Sequence, residues 1–186
     1  MGKKENERSK NDEVCTPVEV FQPVLDALGW DCFDLDPCSH LDAIVPVRKR
    51  VLLPMYRRYG PTSSSRNTYG DGLKISWRKQ RVWKNPPYSQ FQYTKKYPWL
   101  EKAAEEASRC VGWLPTRTSS QWWQEYVRRA AAVCLWKGRV QHVGEEWGSP
   151  FHQALVFWGF NKREVNRLER ALDAHRKGRH WFIRVC

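Results

Sequence analysis

The sequence lacks what most metal-binding and secreted chains carry. Its six cysteines, at positions 15, 32, 38, 110, 134 and 186, include no C-x-x-C pair. No Cys/His cluster has zinc spacing, so neither a zinc site nor a disulfide framework is expected. Cys110 and Cys134 sit inside apolar runs and read as small buried hydrophobes. Long apolar runs are missing too. The longest, AAAVCLW at 130–136, is far too short to span a bilayer. The opening MGKKENERSKNDE has no apolar segment behind it, unlike a signal peptide. These absences lead to the expectation of a soluble, reduced, cytoplasmic protein with no membrane and no metal partner.

Acidic residues are also scarce. Lys and Arg number 32 against 20 Asp and Glu, a formal net charge of +12, and no acid occurs between positions 48 and 58. A surface of that sign attracts polyanions, of which nucleic acid is the commonest in a cell. The 11 tryptophans supply aromatic faces that suit stacking of exposed bases among cations, as well as core filling.

At 186 residues the chain is long enough for one domain with a full core. Residues 1–13 have a disordered composition and read as a flexible arm. The residues from 14 to 160 read as the main domain, and 161–186 as a basic helix and tail packed on it. At Thr16 a T-x-x-E capping box with Pro17 at the first helical position predicts a helix. Its apolar face is Val20, Phe21, Val24, Leu25 and Leu28, bent at Pro23. DCFDL at 31–35 reads as a strand running into a DPCSH turn, followed by an irregular basic stretch to about residue 70. RVW at 81–83, CVGWLP at 110–115 and AAVCLW at 131–136 read as strands. GRVQHV at 138–143 and HQALVFWGF at 152–160 read as an antiparallel pair, and HWFIRV at 180–185 as a last strand. Helices are expected at 99–109, 119–130 and 162–177. Alternating strands and helices imply an α/β sandwich with a mostly parallel sheet. Ligands in such sheets bind beyond the carboxyl ends of the strands. The polar strand ends FDLDPCS, VWKNPPY and WLPTRTSS mark where to look.

VWKNPPY is the sharpest of these. Pro86 and Pro87 have no N–H for a sheet ladder, so they stop the strand and fix Asn85 on one side and Tyr88 on the other. The elbow resembles the Asn–Pro–Pro–aromatic motif of amino-group methyltransferases, which implies that the Asn85 amide carbonyl and the Pro86 backbone carbonyl each accept an N–H from an exocyclic amine. That localises a nitrogen lone pair otherwise delocalised into a heteroaromatic ring. Tyr88 offers a face on which an extruded base can stack.

The order CTPVEVF, FDLDPCS, DGLKISW, VWKNPPYSQ, LPTRTSSQWW, GRVQHV, ALVFWG resembles the phage-type, Dam-like DNA N6-adenine methyltransferases over residues 13–160. The resemblance implies a Rossmann-like methyltransferase sandwich with a C-terminal antiparallel strand pair. It implies transfer of a methyl group from S-adenosylmethionine to a flipped-out adenine of double-stranded DNA, by a phage- or prophage-encoded monomer in a bacterial host. Evasion of restriction is the role it suggests. Asn85, Pro86, Pro87 and Tyr88 are then catalytic. Thr16, Pro17, Asp34, Asp36, Pro37 and Asp71 flank the cofactor, with the choice between Asp34 and Asp36 open. Arg117 and the run Arg48, Lys49, Arg50 contact nucleic acid. No glycine follows Asp36–Pro37, where the family has one. The same motif serves methyltransferases of RNA bases and of a protein glutamine amide. A catalytically silent nucleic-acid-binding relative is a further alternative.

Overall fold

The computed structural model describes residues 15–53, 66–88, 97–175 and 180–185. The expected N-terminal arm lies outside them. Helix α1 (Val18–Leu28) leads into strands β1 (Phe33–Ser39), β2 (Val47–Leu52), β3 (Asn67–Tyr69) and β4 (Arg81–Lys84). Helix α2 (Pro98–Glu105), β5 (Arg109–Pro115) and helix α3 (Gln121–Tyr126) follow, and a short 3₁₀ turn at Val127–Arg129 leads into β6 (Ala132–Leu135). Strand β7 (Gln153–Trp158), helix α4 (Lys162–His175) and β8 (Trp181–Arg184) complete the order.

The strands form one sheet in the order β3-β2-β1-β4-β5-β7-β6-β8. From β3 to β5 every pairing is parallel. Strand β7 lies antiparallel between β5 and β6, and β8 antiparallel on β6. The expected α/β sandwich is therefore present. The chain steps outward from β1 to β3 and then returns to β4 on the other side of β1. That reversal is the topological switch point at which open α/β sheets bind ligands. It falls between the strands that end in DPCS and precede NPPY.

Apolar residues cover both faces. One core joins Leu35, Val82, Cys110 and Trp158 to Leu100 of α2 and Trp122 of α3. The other packs Val24 and Leu28 of α1 and Leu168 and Leu172 of α4 over Trp83, Val111 and Phe157. Helix α1 ends at Gly29, whose φ of 67° lets the chain turn while Trp30 N–H closes on the Leu25 carbonyl.

Several expectations change. Thr16 is not the helix cap: Pro17 holds that position without any side-chain cap. DPCS continues β1 rather than turning. Pro37 fits there because the β1–β2 register shifts between Asp36 and Ser39, so the ladder is broken where its N–H would be needed. The basic stretch contains β2 and β3. Residues 138–143 are not a strand but form bridges at Gln141 and Val143; the antiparallel partners of β7 are β5 and β6. Helix α2 stops at Glu105, short of residue 109.

Candidate active site at the switch point of the sheet

Strand β4 is buried from Val82 to Lys84, and the double proline that follows Asn85 marks its end. Lys84 is wholly buried. Its Nζ donates to the Trp99 carbonyl at 2.9 Å and lies 4.5 Å from the centre of the Trp158 ring. Burial lowers its pKa to about 8. The room for this arrangement comes from Gly112, where a Cβ would stand 2.8 Å from Trp158 and 3.1 Å from the Lys84 side chain. The residue before Asn85 is thus held by Trp99 and Trp158.

Asn85 is half-buried, and its Nδ2 donates to Thr16 Oγ1 at 3.4 Å. That bond turns the planar amide so that its NH2 lies on Thr16 and its carbonyl oxygen on the opposite side. Its backbone also hydrogen-bonds the buried Cys38 thiol, whose pKa burial pushes well up. The end of β4 is thereby tied to the end of β1. Pro86, Pro87 and Tyr88 are buried.

Asp36 is 5% exposed and accepts the Cys38 N–H at 3.2 Å. Burial pushes its carboxyl up to about 6, against hydrogen bonds from Ser39 and Cys38 and the charge of Arg50. Asp34 is placed differently. It takes two side-chain bonds from Arg81, at 2.9 and 2.7 Å, and a third from the Arg81 backbone. Arg48 adds an ion pair at 3.6 Å. These bonds, that from the Arg81 side chain foremost, hold Asp34 below the usual carboxylate range. Arg81 opens β4, so Asp34 stands at the amino end of the strands, away from Asn85. Of the two aspartates the structure brings only Asp36 toward the elbow.

Asp71 caps its own turn, its Oδ1 accepting the Leu73 N–H at 3.0 Å. The next residue, Gly72, presses on Pro37: a Cβ there would lie 1.8 Å from the Pro37 carbonyl oxygen. The glycine absent after Asp36–Pro37 in sequence is met by one from another loop. Arg48 and Lys49 are exposed on β2, and Arg50 donates to the Val45 carbonyl at 2.9 Å. With Arg66 and Cys32, Arg48 and Arg50 line a cavity of about 260 Å³ at the amino ends of the strands, not beside Asn85. Arg117, after β5, lies over the Phe151 ring at 5.2 Å. Phe151 meets Tyr88 edge-on at 6.3 Å.

Sequence reasoning missed the residues behind Tyr88. Its hydroxyl donates to the Trp113 carbonyl at 3.4 Å and accepts from Gln153 Nε2 at 2.9 Å. Gln153 also reaches His142, whose pKa burial lowers. The one available signal was Gln153, a polar residue heading the apolar run ALVFW; His142, in the mixed string GRVQHV, gave none. Among the described residues no group of three or more His, Cys, Asp or Glu could hold a metal ion, and no helix is long and apolar enough to cross a membrane.

The arrangement offers carbonyl acceptors at Asn85 and Pro86, a buried carboxylate at Asp36 and an aromatic ring at Tyr88. The model of the family described as DNA N-6-adenine-methyltransferase (Dam) matches residues 64–158. That span holds Asp71, the NPPY elbow, Arg117 and Gln153, whereas Thr16 and Asp36 precede it. No curated protein matches the sequence. Among solved structures, a candidate RNA methyltransferase from Pyrococcus horikoshii is 11% identical, with a TM-score of 0.50 over 82% of this chain and 88% of that one. A Legionella pneumophila protein of the DUF519 family is 10% identical, with a TM-score of 0.43 over 90% of this chain and 74% of that one. The first of these shares the fold, a Rossmann-like methyltransferase sandwich.

Proposed function

Because this chain belongs to the DNA N-6-adenine-methyltransferase (Dam) family, we propose that it moves a methyl group from S-adenosylmethionine to N6 of an adenine turned out of a DNA duplex. The observation that carries this reading is the bond from Asn85 Nδ2 to Thr16 Oγ1 at 3.4 Å. It engages the NH2 side of the amide, which supports Oδ1 as the acceptor of an amine N–H.

The residues present fit the methyl donor. Asp36 is a buried carboxylate at the end of β1, suited to a cation or to ribose hydroxyls. Helix α1 opens at Thr16–Pro17 with no side-chain cap, which suits an anionic group. When bound, S-adenosylmethionine supplies a methyl group already activated on a sulfonium, so no strong base is needed. What the chain contributes is positioning and accepting dipoles. Asn85 Oδ1 and the Pro86 carbonyl each accept one N–H of the target amine, drawing its nitrogen toward tetrahedral geometry. Pro87 stiffens the elbow, and Tyr88 stacks the extruded base. Asp71 sits by the Asp36–Pro37 end through the Gly72 contact and borders the same donor. Arg117, beside Phe151 and Tyr88, contacts phosphate or the target base. Arg48, Lys49 and Arg50, on β2 away from the elbow, are left with backbone attraction at a distance.

Removing the Thr16 hydroxyl tests the carrying observation. Thr16→Val should lower kcat about tenfold, with Thr16→Ser close to wild type; equal rates in all three proteins would detach Asn85 from Thr16. The acid side of the donor site is a second test. As pH falls through about 6 Asp36 takes up a proton and loses its charge. The affinity for S-adenosylmethionine, measured by calorimetry, should then drop by about tenfold between pH 7 and pH 5. Asp36→Asn should flatten that dependence; a flat profile in the wild type would take Asp36 out of the donor site. The polymer is tested by competition. Duplex DNA, RNA and a glutamine peptide offered together with labelled donor should leave the label in DNA, and label in RNA or peptide would transfer the reading there. No label anywhere, with no heat of donor binding, would mark a silent relative.

A further inference from the structure

His142 and Gln153 form a polar chain through the packed layer that supports Tyr88. His142 is 4% exposed and Gln153 1%. His142 Nδ1 is 3.2 Å from the Cys15 carbonyl oxygen, and its Nε2 is 3.2 Å from Gln153 Nε2. The same amide nitrogen reaches Tyr88 Oη at 2.9 Å, and Tyr88 Oη reaches the Trp113 carbonyl at 3.4 Å. One set of protons satisfies every contact. Nδ1–H of a neutral His142 donates to Cys15, and the two amide hydrogens of Gln153 go to His142 Nε2 and Tyr88 Oη. The phenol hydrogen goes to Trp113. Both ends of the chain are therefore backbone carbonyls, one of them inside β5.

Gln153 Oε1 is buried, with no hydrogen-bond partner among the described residues. An unpaired buried acceptor costs free energy, and an apolar side chain of the same size at the head of β7 would avoid the cost. The fold keeps an amide there, and its N–H groups are what Tyr88 and His142 use. Phe151 packs against the ring edge-on, at an interplanar angle of 75°.

We propose that Gln153, braced by His142, is a positioning residue that tethers the Tyr88 hydroxyl and so fixes the ring plane before a base arrives. The inference rests on the reading that Tyr88 receives the target base. The ring then meets the base without first having to be ordered, which places the amine against Asn85 and Pro86.

A double-variant cycle on the full chain tests this. Wild type, Gln153→Leu, Tyr88→Phe and the double variant are compared for kcat, KM for duplex DNA and melting temperature. A tether predicts that each single change lowers kcat about tenfold. KM for DNA should stay within about twofold, because phosphate contacts are untouched. The double variant should fall no more than about twofold below the slower single, since both changes cut the same bond. A purely structural glutamine would give losses that multiply, and that result would overturn the proposal, as would an unchanged kcat in folded Gln153→Leu. If Gln153→Leu melts below the assay temperature, Gln153→Met, which keeps the length and removes both donors, replaces it in the same cycle. A wild type that methylates no DNA would strike the underlying reading instead, before any variant is compared.

Discussion

Asn85→Ala is expected to slow methyl transfer by about 10³-fold, the effect seen when one preorganised polar partner of a reacting group is deleted. Duplex affinity and melting temperature should stay close to wild type. The separation follows from where the side chain is held. Asn85 is half-buried, and its bond to Thr16 is a long one at 3.4 Å, so its loss should cost at most about 1 kcal/mol of stability. The elbow itself is kept by the prolines, by the anchored Lys84 and by the backbone bond to Cys38. Under the proposed function the amine, by contrast, would lose one of its two acceptors. Single-turnover rates with saturating donor and duplex would measure this directly. A variant within tenfold of wild type would remove Asn85 from the chemistry.

The second large effect is structural. Gly72→Ala should destabilise the protein by about 3 kcal/mol or more, lowering its melting temperature by roughly 10 °C. A Cβ at Gly72 would lie 1.8 Å from the Pro37 carbonyl oxygen and 2.6 Å from its carbon. Both are backbone atoms, which no rotamer change can clear. The turn cannot back away easily, because the Gly72 carbonyl accepts the indole N–H of the fully buried Trp77 at 3.0 Å. The strain is therefore passed to the Asp36–Pro37 end of β1. Donor affinity should fall even at temperatures where the variant is folded. Gly70→Ala is the control: its nearest neighbour would be Val51 Cγ1 at 3.8 Å, an ordinary contact, and its melting curve should overlay the wild type. Circular dichroism melts of both variants decide the matter. Equal stability would mean that Gly72 does not press on the end of β1.

Features whose cause lies within a few residues were the ones legible in the sequence. Two adjacent residues without N–H groups must end a strand wherever they fall, so the elbow at Asn85–Tyr88 stood out. The helices over 18–28 and 162–175 announced themselves by their apolar faces. Strand β2 did not, because VRKRVL owes its extended state to backbone pairing with β1 and β3, while its charged residues are mostly exposed. Thr16 misled for the opposite reason. Its spacing to Glu19 satisfies a local capping rule, yet its hydroxyl serves Asn85, 69 residues away. Which of Asp34 and Asp36 stands nearer the elbow turned on register: pairing of Leu35 with Val82 puts Asp34 beside Arg81 and leaves Asp36 further along the strand. Likewise, nothing local relates His142 to Gln153. They meet because residues 136–152 leave β6 and return to enter β7 at the same end of the sheet.

The most direct test of the central claim is the identity of the methylated atom. Unmethylated duplex DNA incubated with the protein and methyl-labelled S-adenosylmethionine would be digested to nucleosides and separated by chromatography. Label in the N6-methyl derivative of deoxyadenosine, absent when Asn85→Ala replaces the wild type, is the predicted result. Label in methylated cytosine, or equal label in N6-methyldeoxyadenosine from the variant, would contradict the account.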